Sequence, residues 1–128
     1  MKLTKRNARA RAEKLVQEIQ GLIERGEFVP EYGYLNFDED GVSPCGCALG
    51  AAAVTAGVDK RALQAVPSIL SKSAFLRSFV QKASIATKQE LLDFEDGYER
   101  NDPDRKDGSV FFEAGKSLHP YHPYFLSR

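Results

Sequence analysis

The chain reads as a mainly α-helical single domain of about five helices, with a short extended or hairpin element near residues 28–42. Three observations predict this. Apolar residues recur at helical spacing in several stretches, helix-start and helix-stop residues bracket those stretches, and one aromatic, extended-looking segment lies between Phe28 and Val42. The 128 residues, 42% of them hydrophobic, suffice for one core and are too few for two ordinary domains. Residues 1–128 are therefore expected to form one domain, with 119–128 as an extended C-terminal tail.

The clearest helix spans residues 5 to 25, where Ala12, Leu15, Val16, Ile19, Leu22 and Ile23 fall on one face. Thr4 is its expected N-cap and Gly26 its stop. Phe28, Val29, Tyr32, Tyr34, Leu35 and Phe37 then give an extended texture, and Asp40-Gly41 signals a hairpin turn. Ser43 and Pro44 are the residue types that open a helix, so a second helix is expected from there to Ala56, with Gly57 as its left-handed terminator. Within it Gly46, Gly50, Ala53 and Gly57 form a stripe of small residues that predicts close packing of backbones.

Asp59 is placed to cap a short helical piece interrupted by Pro67, after which Phe75, Leu76, Phe79, Val80 and Ala83 resume helical spacing. Thr87-Lys88-Gln89-Glu90 is a capping box, predicting a helix over 88–100 with Leu91, Leu92, Phe94 and Tyr98 in the core and an acidic exposed side. Residues 101–108 are a loop by composition. Ser109 is the expected cap of a last helix burying Val110, Phe111, Ala114 and Leu118.

The formal charge is zero only because blocks cancel. Residues 1–14 hold six basic side chains against one acid, 27–59 hold six acids, 60–88 hold six bases, and 89–104 hold seven acids against one base. Like-charged blocks of this size either pair with one another or present one-signed surfaces that attract an oppositely charged partner. Pairing between basic and acidic faces of neighbouring helices is the favoured structural reading. A homodimer that sets the basic 60–88 block against the acidic block of a second copy is a further one. Lys5, Arg6, Arg9 and Arg11 sit at the positive end of the first helix, where each is locally unfavourable by about a few tenths of a kcal/mol. Nucleic acid is thereby admitted as a partner, though a protein is favoured.

Two cysteines and two histidines, Cys45-x-Cys47 and His119-x-x-His122, match the ligand count of a tetrahedral zinc site. One residue between two cysteines points their sulfurs to opposite sides of a regular helix, so a site of Cys45, Cys47, His119 and His122 requires Cys45 to lie in a distorted first turn. Otherwise no cofactor is expected. The one-residue separation is too short for a relaxed disulfide between the pair, which reads as reduced thiols or metal ligands. A cysteine nucleophile is the other sharp reading: Cys45 at a helix start would have its thiolate stabilised by the dipole, with a tail histidine as base. Packing of small buried thiols is favoured over both. Asp93, Glu95, Asp96 and Glu99 are read as a solvated helix face rather than paired catalytic carboxylates.

Residues 119–126, His-Pro-Tyr-His-Pro-Tyr-Phe-Leu, are stiff and aromatic. They are expected either to strap across the parent domain or to dock into a partner. The run Cys47-Ala48-Leu49-Gly50-Ala51 with the later Phe94-Glu95-Asp96-Gly97-Tyr98 resembles small uncharacterised proteins of bacteria and phages. That resemblance implies such an origin and carries no activity. No run reaches the roughly 18 to 20 apolar residues that span a bilayer, and the basic N-terminus lacks a secretory pattern, so no membrane association and a cytoplasmic location are expected. The functional expectation is a non-enzymatic protein that binds another macromolecule, most readily a protein. Its charge-segregated surface and aromatic tail would make the contact, with Arg77, Lys82, Tyr121, Tyr124 and Phe125 at the interface.

Overall fold

The computed structural model describes residues 3–30, 35–37, 44–58, 69–99 and 109–118. Within them lie helices α1 (Ala8–Glu24), α2 (Ala48–Thr55), α3 (Ile69–Lys82), α4 (Lys88–Glu99) and α5 (Val110–Ser117), with short strands β1 (Val29–Pro30), β2 (Leu35–Phe37) and β3 (Pro44–Gly46). The mainly α class is as the periodicity predicts. Asp40-Gly41, the piece around Pro67, the 101–108 loop and residues 119–128 lie outside the described residues.

The extended element is larger than expected and partly elsewhere. β3 is the central strand, parallel to β1 and antiparallel to β2, with Cys45 opposite both Val29 and Asn36. Pro44 therefore belongs to a strand, and the second helix starts at Ala48, after Cys47 in extended backbone at the N-cap. A Ser-Pro pair opens strands and helices alike, because proline's fixed φ suits both and its missing N–H suits an element's first residue.

α2 is the centre of the molecule. Ala48 through Ala53 are all buried, and the helix packs against α1, α3, α4 and the sheet at once. A helix surrounded in this way must be apolar all round and small enough to let its neighbours approach, as its alanines and Gly50 permit. The predicted stripe is divided between two elements and a turn: Gly46 ends β3, Gly50 and Ala53 lie in α2, and Gly57 (φ +85°) terminates the helix. There the Val58 N–H donates to the Ala53 carbonyl and the Gly57 N–H to that of Val54, the paired bonds of a Schellman cap.

α4 and α5 form the most intimate helix pair. Gly97 faces the Phe112 carbonyl and Gly115 faces the Phe94 carbonyl, so close that a methyl group on either glycine would overlap the opposing backbone. This reciprocal contact surrounds Phe94, Phe111 and Leu118, all but fully buried. It also gives a packing role to the glycine of Glu95-Asp96-Gly97-Tyr98.

Candidate functional site

Arg11 is the residue from which the site is built. It recurs four and eight residues before Leu15 and Ile19, on the buried face of α1, and is 4% exposed. All five guanidinium N–H groups have acceptors. Nε donates to Asn7 Oδ1 (2.7 Å), one terminal nitrogen to the Ile85 carbonyl (3.0 Å) and Glu90 Oε1 (2.7 Å), and the other to the Thr4 carbonyl (2.7 Å) and Glu90 Oε2 (3.1 Å). The group also lies over the Phe111 ring, 5.6 Å from its centroid.

The acceptors are held in turn by local structure. Thr4 and Asn7 exchange side-chain-to-backbone hydrogen bonds of 3.2 and 3.3 Å, so Thr4 caps the turn that leads into α1, and the helix proper starts at Ala8. The predicted capping box is present: the Thr87 N–H donates to Glu90 Oε1 (2.8 Å) and the Glu90 N–H to Thr87 Oγ1 (3.1 Å). Burial pushes the Glu90 carboxyl up. The hydrogen bonds from Arg11 and Thr87 and the Arg11 charge outweigh that and hold it below its ordinary 4.5.

This network joins the start of α1 to the turn between α3 and α4. The two segments it joins belong to distant basic blocks: exposed Lys5, Arg6 and Arg9 lie at the start of α1, and exposed Lys82 and Lys88 flank the turn. Among the described residues no carboxylate pairs with any of the five. The acid nearest the junction in sequence, Glu90, is neutralised by Arg11. Lys82 complements the C-terminal dipole of α3, whereas Lys88 and the α1 bases stand at positive helix ends, with no acid in the first turn of α1.

Three of the α4 acids differ from the solvated face expected. Asp93, Glu95 and Asp96 are half-buried. Asp93 accepts from the Ser109 hydroxyl (2.9 Å) and the Gln89 amide (3.1 Å), and Ser109 in turn caps α5 through the Phe112 N–H. Glu95 holds the Arg77 guanidinium by two bonds, of 3.0 and 2.9 Å. Arg77 is thus engaged within the chain, an instance of the expected pairing between neighbouring helices, while Lys82 is exposed.

Cys45 lies in β3 and not in the first turn of α2, so the helix-dipole argument for its thiolate no longer applies. Cys47 takes the N-cap and is 8% exposed within the core. Tyr121, Tyr124, Phe125, His119 and His122 fall outside the described residues, among which no group of three or more His, Cys, Asp or Glu side chains is placed to hold a metal. Nor, among those residues, is any helix long and apolar enough to cross a membrane. A cleft of about 310 Å³ beside the network mixes Lys14, Glu18 and Thr55 with Leu15 and Ala56. No family model matches the chain, and comparisons with curated proteins and with solved structures found no match.

Arg11 was missed because arginine is read as a surface residue. Its signal was its register with Leu15 and Ile19. The joining of two basic blocks had no local signal, since Arg11 and Glu90 are far apart in the chain.

Proposed function

We propose that this chain is a non-enzymatic binding protein whose basic end docks against an acidic surface of another protein, with Tyr121, Tyr124 and Phe125 extending the contact. The observation that carries this reading is that Arg11 ties the start of α1, with exposed Lys5, Arg6 and Arg9, to the turn flanked by exposed Lys82 and Lys88, while Asp93 and Glu95 of α4 are engaged internally. An excess of exposed like charges raises the local potential and speeds encounter with an anionic surface. A helix start that keeps three cations without a compensating acid gives up stability that a binding role accounts for.

The test is affinity purification of the tagged chain from its native cells, beside a variant carrying Arg6→Glu, Arg9→Glu, Lys82→Glu and Lys88→Glu. The expected result is a protein partner retained at low salt, released at high salt and absent from the variant's eluate. Nuclease-sensitive nucleic acid in place of that protein contradicts the reading, as does a partner indifferent to all four reversals.

A further inference from the structure

We propose that the cleft beside the Arg11 network binds a small aliphatic α-amino acid in its zwitterionic form. The cleft, of about 310 Å³, lies between α1, the end of α2 and the turn after α3. That volume is at the lower end of the roughly 300 to 1,000 Å³ typical of small-molecule sites. Size alone assigns nothing, but the lining offers three kinds of surface, one for each part of such a molecule.

One kind attracts an ammonium group. α2 ends at Thr55 and α3 at Lys82, and residues at or just beyond those ends, Thr55 and Ala56, Ala83 and Ser84, line the cleft. Two helices thus bring their negative dipole ends to one cleft. The turns at Gly57 and Ser84 engage the carbonyls of Ala53, Val54, Val80 and Gln81, whereas among the described residues no hydrogen bond reaches those of Ala56 and Ala83. The Thr55 hydroxyl donates to the Ala52 carbonyl (2.7 Å), so toward a guest its oxygen can only accept. Glu18 adds a carboxylate to the same lining.

The second kind attracts a carboxylate. Arg11 lines the cleft with all five N–H groups already engaged, which leaves Lys14 as the cation with donors to spare. The Lys14 ammonium and the Glu18 carboxylate stand 4.0 Å apart with 71% and 43% of their side chains exposed, and among the described residues neither has another partner. So open a pair, one helical turn apart, contributes little by itself, and a guest's two charges can replace it at small cost. The third kind is apolar: Leu15 and Ile85, with Ala56 and Ala83, present surface for a short aliphatic side chain. A metal ion would leave that surface unused, and a simple amine would leave Lys14 unused. The site stands apart from the basic surface proposed above, to which neither Lys14 nor Glu18 belongs.

The test is a titration of the full chain with L-leucine, followed by the shifts of its backbone amide resonances. Isocaproate, which lacks the ammonium, and isoamylamine, which lacks the carboxylate, are titrated in parallel. The expected result is saturable shifts centred on Lys14, Glu18, Thr55, Ala56 and Ser84, with L-leucine bound several-fold more tightly than either analogue. Glu18→Gln should weaken L-leucine several-fold without weakening isocaproate, and Lys14→Met should do so without weakening isoamylamine. Both positions are exposed, and retained amide spectra check that the variants fold. If either variant does not, the two analogues decide on the native chain alone. The proposal is overturned by the absence of saturable shifts with L-leucine, by shifts centred away from the cleft, by an analogue that binds as tightly as L-leucine, or by folded variants that leave the L-leucine affinity unchanged.

Discussion

Arg11 and Glu90 show how one partly buried pair is both stabilising and vulnerable. With every guanidinium N–H satisfied, the desolvation of Arg11 is offset, but removing either partner leaves charge or acceptors stranded. Arg11→Met should therefore cost about 3 kcal/mol in urea unfolding at neutral pH, and a double variant with Glu90→Gln should cost clearly less than the two single changes summed. The pH dependence has a definite sign. The carboxyl of Glu90 is depressed in the folded state, so its contribution is fully present above the unfolded value near 4.5 and is lost as pH falls through the lower folded value. Unfolding midpoints of the native chain should drop through that acidic window, and Glu90→Gln should flatten the drop. Ser84 makes a separate case. It has φ +58° at the end of α3, where the Ile85 N–H donates to the Val80 carbonyl and the Ser84 N–H to that of Gln81, the same paired bonds as at Gly57. A side chain in that conformation costs about 1 kcal/mol relative to glycine, so Ser84→Gly should raise stability by about that amount in thermal or urea unfolding.

Among the elements, the α4–α5 crossing is the least forgiving contact. Alanine improves helix propensity by about 1 kcal/mol over glycine, yet at Gly97 or Gly115 its methyl would overlap backbone that cannot move independently. Gly97→Ala and Gly115→Ala should each destabilise by about 2 kcal/mol or more in urea unfolding, the reverse of the propensity effect. The glycines themselves were visible in the sequence, but which backbone each would face was not, because that depends on how two helices joined by residues 100–108 cross. Helix existence was legible wherever apolar spacing and caps agreed, as at Thr87–Glu90 and Ser109. It failed at Pro44, where local preferences suit strand and helix equally and pairing with Val29 and Asn36 decided. The acids of α4 were misread for a related reason: Asp93 and Glu95 look solvated until Ser109 and Arg77 are placed beside them.

For the molecule as a whole, zero formal charge conceals unequal use of the charges, with Glu90, Asp93 and Glu95 of α4 engaged internally and Lys5, Arg6, Arg9, Lys82 and Lys88 exposed. The sequence displayed both basic blocks but not their meeting, which rests on a contact between residues 11 and 90. Salt elution from immobilised poly-glutamate tests that meeting most directly. We compare the native chain, the pair Arg6→Glu/Arg9→Glu, the pair Lys82→Glu/Lys88→Glu, and a control reversing Arg25, which lies at the far end of α1 and pairs with Glu27. If the two blocks form one binding surface, each pair should elute at clearly lower salt than the native chain and well below the control. Equal elution of either pair and the control would contradict a single basic surface.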